Sequence, residues 1–208
     1  MNPTVVKKPV IIYAESTPNP AAMKFVANTM LVPTGATVEY KNSAEAKGSP
    51  LALQLFMFSF VKQIFISGNY ITILKNETVV WEDIIQHVRD FIKGYLEEGN
   101  AVVKELPTQQ VATDNNFTET KSVFTEHTAP VTEAETKIVE ILEEYIRPAV
   151  ENDGGLIIFK SFKDGIVTVQ LKGSCSGCPS SALTLKAGIE GLLKRMVPGV
   201  TSVVAEEV

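Results

Sequence analysis

Apolar and polar positions divide the chain into two patterned regions with an unpatterned stretch between them. In the first region, Val10 to Ala14 is a β-rich run that predicts a strand, and Met23 to Ala27 and Thr37 to Tyr40 predict two more. Thr17-Pro18-Asn19-Pro20 predicts a turn, because its two prolines fix φ and remove two donors. Ser49-Pro50 predicts a helix start, with serine at the N-cap and proline at the first helical position, and the helix runs on through Leu51, Leu55 and Phe56. Gln63 to Ile66 and Tyr70 to Lys75 predict a hairpin turned by Ser67-Gly68-Asn69. Ile84, Ile85, Val88, Phe91, Ile92 and Tyr95 recur at helical spacing, and Gly99 supplies a stop.

The second region starts with Thr132 and Glu135 in a capping-box pattern, followed by an apolar helical face of Ile138, Ile141, Leu142 and Tyr145. Arg147-Pro148 is expected to end that helix. Asp153-Gly154-Gly155 predicts a turn, Leu156 to Phe162 a strand, Lys163-Asp164-Gly165 a second turn and Ile166 to Lys172 a second strand. A helix with Leu185, Ile189, Leu192, Leu193 and Met196 inward and a last strand over Val200 to Ala205 complete an α-β-β-α-β order.

Between these regions Thr, Gln, Asn, Glu and Pro dominate, with scattered apolar residues of no sustained period. That composition predicts an extended or disordered linker. The expected fold class is therefore α+β: two small two-layer α/β-sandwich domains, 1–99 and 132–208, joined by a flexible linker at 100–131.

Composition narrows the function classes. The net charge is −5 and no segment is strongly basic, so the footprint of a nucleic-acid binder is missing. The longest apolar stretch, Leu51 to Val61, is interrupted by Gln54 and Ser59, whereas a spanning helix needs about 20 apolar residues. The run Val10-Ile11-Ile12 is too short for a signal-peptide core. The expectation is a cytoplasmic, reduced protein without nucleic-acid or membrane partners. Its cysteines then serve as ligands or redox thiols rather than as a structural disulfide.

Both cysteines of the 208-residue chain lie in Gly173-Ser174-Cys175-Ser176-Gly177-Cys178-Pro179-Ser180-Ser181, between a predicted strand and a predicted helix. Two intervening residues let both sulfurs reach one metal or one cluster edge. Pro179 suits a first helical turn and puts Cys178 near the N-cap, where unpaired N–H groups and the helix dipole favour thiolate. A thioredoxin-like redox pair would have a proline between the cysteines and a βαβ context; here Ser176 and Gly177 intervene and a hairpin precedes. Metal binding by Cys175 and Cys178 is favoured, with a thiol–disulfide oxidoreductase or a zinc-stabilised structural dimer as the alternatives. Zinc and iron–sulfur sites both use four ligands, so two cysteines make half a site. His87 on the first-domain helix and His127 in the linker read as packed or solvated. A symmetric dimer with two thiolates from each chain is the simplest completion. No general acid/base pair or phosphate-binding loop is found, which leaves the enzyme reading to the cysteine pair alone.

These residues resemble a known family. Thr136 to Val204 is similar to the NifU-like C-terminal domain, through Arg147-Pro148, Asp153-Gly154-Gly155, the cysteine loop and Gly188-Ile189-Glu190. The first domain resembles the Nfu N-terminal domain, through Thr17-Pro18-Asn19-Pro20, Lys24-Phe25, Ser49-Pro50-Leu51-Ala52 and Trp81. The resemblance implies an iron–sulfur cluster scaffold or carrier whose [4Fe–4S] cluster bridges two subunits through Cys175 and Cys178. It implies as partners a second copy of the chain, an upstream cluster donor and apo iron–sulfur clients. The first domain would recognise partners, or it is a folded domain without chemistry of its own.

Overall fold

A computed structural model of the chain describes residues 9–105, 127–176 and 179–206, and the side chains of all but 179–183 among these. The middle of the expected linker and Cys178 lie outside the described residues.

The first domain is a five-stranded antiparallel sheet with helices on one face. Its strands are β1 (Ile12–Ser16), β2 (Ala22–Ala27), β3 (Thr37–Tyr40), β4 (Val61–Ser67) and β5 (Tyr70–Lys75), in the order β1-β2-β5-β4-β3. Helix α1 (Pro50–Leu55) starts as its sequence predicts: the Ser49 hydroxyl accepts from Ala52 N at 3.2 Å, with Pro50 in the first turn. Helix α2 (Trp81–Glu97) is followed by Gly99 in the left-handed region, at φ 77°. Alternation along the strands sends Phe25, Ile64, Ile66, Ile71 and Ile73 to the helical side, where they pack with Leu51, Leu55, Val88 and Ile92. Trp81 anchors this core, its ring 6.2 Å from that of Phe25 in an edge-on arrangement. Phe58 stacks on Phe60 and meets Phe91 edge-on, so the alternating Phe56, Phe58 and Phe60 pack with the first core.

Strand β1 begins two residues later than the apolar run suggests. Asn28 accepts from Ile11 N with its side chain, at 3.0 Å, and the ladder to β2 runs from Ile12↔Ala27 to Ser16↔Met23. The first residues of the 100–131 stretch also pack: Val102 is buried in the first core, and Lys104 N donates to Gly48 O at 2.8 Å.

The second domain follows the expected order. Helix α3 (Glu133–Ile141) carries the complete capping box, with Thr132 accepting from Glu135 N and Glu135 accepting from Thr132 N. Arg147-Pro148 does not end the helical segment. A π-helical stretch, Leu142–Ile146, leads into α4 (Arg147–Asn152). Pro148 lies in the first turn of α4, where its missing N–H costs no intrahelical bond, and the wider π turn before it lets the chain continue. Strands β6 (Gly155–Lys163) and β7 (Ile166–Gly173) form a hairpin, α5 (Pro179–Met196) crosses over, and β8 (Ser202–Glu206) returns parallel to β7. Ile138, Leu142, Ile157, Phe159, Val169, Ile189 and Leu193 form the core. His127 is packed here: its Nδ1 accepts from Phe159 N at 2.7 Å and its Nε2 meets the Glu143 carboxylate.

Each sheet has a second face, and these two faces pack on one another. Val26, Phe65 and Tyr70 from the first sheet and Leu156 and Ile158 from β6 make a separate buried cluster. The result is four layers: helices, five-stranded sheet, three-stranded sheet, helices. Among the described residues no helix is long and apolar enough to cross a membrane.

Candidate functional site

The cysteine loop leaves the end of β7 at Gly173 and enters α5 at Pro179. Gly173 takes φ 65°, and a Cβ there would stand 2.5 Å from Gly154 O and 2.9 Å from the Phe65 ring, so glycine is required by both the turn and the space. The loop is held from its own domain by Ser174 N donating to Gly154 O at 3.2 Å, the Ser174 hydroxyl donating to Asp153 O, and the Ser176 hydroxyl donating to Gly173 O at 2.8 Å. Asp153 thus serves the turn through its carbonyl.

Cys175 is a free thiol with 8% of its surface exposed, beside the Ser174 hydroxyl at 3.8 Å. Burial pushes this thiol up to about 11, with the Asp153 carboxylate adding to the rise and Ser174 opposing it. The sequence points to thiolate at the helix start; for Cys175 the surroundings favour thiol instead. Cys178 lies outside the described residues. A cavity of ≈ 410 Å³ opens beside Cys175, lined by Pro18, Asn19, Val150, Asp153 and Leu185 among others.

Three side chains of the first domain also grip the loop. Asn19 Nδ2 donates to Ser174 O at 2.9 Å and to Ser176 O at 3.4 Å. Glu39 accepts from Gly173 N at 2.8 Å and from Gln63 Nε2 at 2.6 Å, and Gln63 Nε2 also donates to the Ser176 hydroxyl at 3.1 Å. Burial raises the Glu39 carboxyl above its usual value, opposed by the Gly173 amide and by Lys172, Gln63 and Lys41. Further out, the Thr72 hydroxyl donates to Gly154 O at 2.7 Å, and Lys24 Nζ donates to Asn152 O at 3.0 Å. The sequence marks Thr17-Pro18-Asn19-Pro20 only as a turn and a shared motif, and places Glu39 and Gln63 only within predicted strands, with no role of their own.

Among the described residues no three His, Cys, Asp or Glu side chains gather as a metal site. His87 lies edge-on to Phe58, and His127 is engaged by Phe159 and Glu143. The two cysteines of the loop are soft sulfur donors, suited to an iron–sulfur cluster or to zinc.

Residues 12–99 match the family described as the scaffold protein Nfu/NifU N terminal, and residues 138–204 match the NifU-like domain. The human protein named NFU1 iron-sulfur cluster scaffold homolog, mitochondrial, is 35% identical over 199 residues, which are 93% of this chain and 71% of the human protein. The protein of the same name from Drosophila sechellia is 33% identical over 97% of this chain and 66% of its own length. A solved structure of a NifU-like protein from Saccharomyces cerevisiae overlaps 50% of this chain and 91% of its own, at 26% identity and a TM-score of 0.43. With both parts present in this order, the chain belongs to the Nfu/NifU scaffold-protein family.

Proposed function

We propose that the protein is an iron–sulfur cluster carrier. Two copies hold one [4Fe–4S] cluster between them through Cys175 and Cys178 of each, and pass it to apo-proteins. The observation that carries this reading is the cysteine loop itself: two soft sulfur ligands, half a set, on one short turn. The iron-sulfur scaffold role in the relatives' names supports it. Release proceeds by ligand exchange. A client thiolate forms an Fe–S bond as a Cys175 or Cys178 thiolate leaves and takes up a proton from solvent, with no change in oxidation state. An upstream donor supplies the cluster, and the protein acts without being an enzyme.

The proposed division is 1–99 and 132–208 as domains with 100–131 as connector. The proposed compartment is a reducing one. The sequence suggests the cytoplasm and the relatives' names say mitochondrial; subcellular fractionation decides between them.

Anaerobic reconstitution with iron and sulfide tests the function. The expected product is a brown homodimer with about one four-iron cluster per dimer. Cys175→Ser and Cys178→Ser should each abolish cluster retention and leave the circular dichroism spectrum unchanged. Retention in either single variant overturns the ligand assignment. A colourless dimer that keeps zinc, or disulfide reductase activity without cluster uptake, overturns the carrier.

A further inference from the structure

Resting on the carrier reading, we infer that the first domain is a cap on the cysteine loop of its own chain, and that it must lift before two loops can meet around one cluster. This gives the outer face of the first sheet a specific occupant: the Gly173–Ser176 turn and the β6 strand of the same chain.

The surfaces match in two ways. Their centre is apolar, with Val26, Phe65 and Tyr70 closing on Leu156 and Ile158. Neither group belongs to the core cluster of its own domain. The margin is polar and aimed at backbone groups: Asn19 at Ser174 O, Glu39 at Gly173 N, Thr72 at Gly154 O. Gly154 is shaped for the contact, since a Cβ there would come within 2.7 Å of the Thr72 hydroxyl oxygen and 3.3 Å of Lys24.

The contact and a shared cluster compete for the same side of the loop. Ligation by two chains requires the sulfur of each to face the other. Here Cys175 is buried, and Pro18 and Asn19 stand over the cavity beside it. Among the described residues the contact rests on five apolar side chains and seven hydrogen bonds between the domains, and relative motion is the default for contacts between domains of one chain. Cys175 also packs in the second domain's own core, so lifting the cap opens the cavity beside the thiol, frees the loop that carries it, and uncovers the apolar face of Leu156 and Ile158 for a second copy.

The test uses the full, reduced, cluster-free chain. Iodoacetamide modification of Cys175 is followed by peptide mass spectrometry in the natural sequence, Val26→Glu and Leu156→Glu, with circular dichroism to verify folding. The two variants break the same contact from opposite sides, so damage to one domain does not decide the result. A carboxylate near the thiol would slow alkylation, so a faster rate reports exposure and not charge. The expected result is modification at least about tenfold faster in both variants, because reaction follows the open fraction. Equal rates in all three folded proteins overturn the cap. Protection that grows with protein concentration also overturns it, since the covering domain would then come from another copy. Reconstitution in parallel separates the two claims: protected Cys175 with no cluster uptake by any variant refutes the carrier and leaves the cap standing.

Discussion

The side-chain amide of Asn19 donates to the carbonyl of Ser174, 155 positions further along the chain, at 2.9 Å. The same side chain shapes its own turn, because its Oδ1 accepts from Ala21 N at 3.0 Å. One residue thus has separate atoms for folding its loop and for holding the cysteine loop.

That separation makes Asn19→Asp informative. The carboxylate keeps an acceptor for Ala21 N but loses the donor to Ser174 O and sets negative charge against that carbonyl. A hydrogen bond of this kind contributes about 1 kcal/mol, which corresponds to roughly a fivefold change in the open fraction. Alkylation of Cys175 should quicken by up to that factor, since the new carboxylate near the thiol opposes part of the gain, while the amide spectrum of the first domain stays in place. A rate slower than that of the natural sequence would mean that losing the donor does not free the loop.

Glu39 should make the contact between domains sensitive to pH. Its carboxyl is raised above the ordinary 4.5 by burial, so the docked form takes up a proton more readily than the undocked form. Docking is then favoured most below 4.5 and weakens as pH rises through the raised value, beyond which it is flat. Lys172 and Lys41, which lower the carboxyl, and the Gly173 and Gln63 hydrogen bonds limit the effect. The Gly173 amide, which donates to Glu39, should titrate in a nitrogen–proton correlation spectrum with a midpoint above 4.5. Glu39→Gln should abolish that titration. A midpoint at or below 4.5 would contradict the burial argument.

Gly155→Ala should strike the cysteine turn from within the second domain. A Cβ at Gly155 would stand 2.7 Å from Cys175 Sγ and 2.8 Å from Lys172 O, and the second of these is backbone and cannot swing away. Overpacking of this kind costs about 1–3 kcal/mol. Thermal unfolding of the variant should show the loss, and reconstituted variant should release its cluster faster than the natural sequence does. An unaltered melting temperature would mean that β6 and the loop separate freely.

Local signals were legible where one side chain does one local job. Thr132 with Glu135, Ser49 with Pro50, and Trp81 at the head of α2 all act within a turn or a single core, and the structure finds each in that role. Pro148 misleads because a proline rule cannot anticipate a π turn just before it. Asn19, Glu39 and Gln63 escape because polar residues facing out of a strand or turn look solvated until a second sheet covers them. A signal for that cover was present in Leu156-Ile157-Ile158-Phe159 and in Ile64-Phe65-Ile66. Unbroken apolar runs mark strands buried on both faces, and their partner faces turn out to be each other.

The parallel pairing of β8 with β7 sets an order of events during synthesis. Parallel neighbours need a crossover, and the cysteine loop is the first bend of the crossover that α5 completes. Glu190 on α5 accepts from Val203 N at 3.0 Å, tying the helix to the returning strand. A growing chain exposes both cysteines before Ser202–Glu206 exists to fix the helix behind them. The bend that carries both cysteines is accordingly among the last parts of the second domain to be fixed.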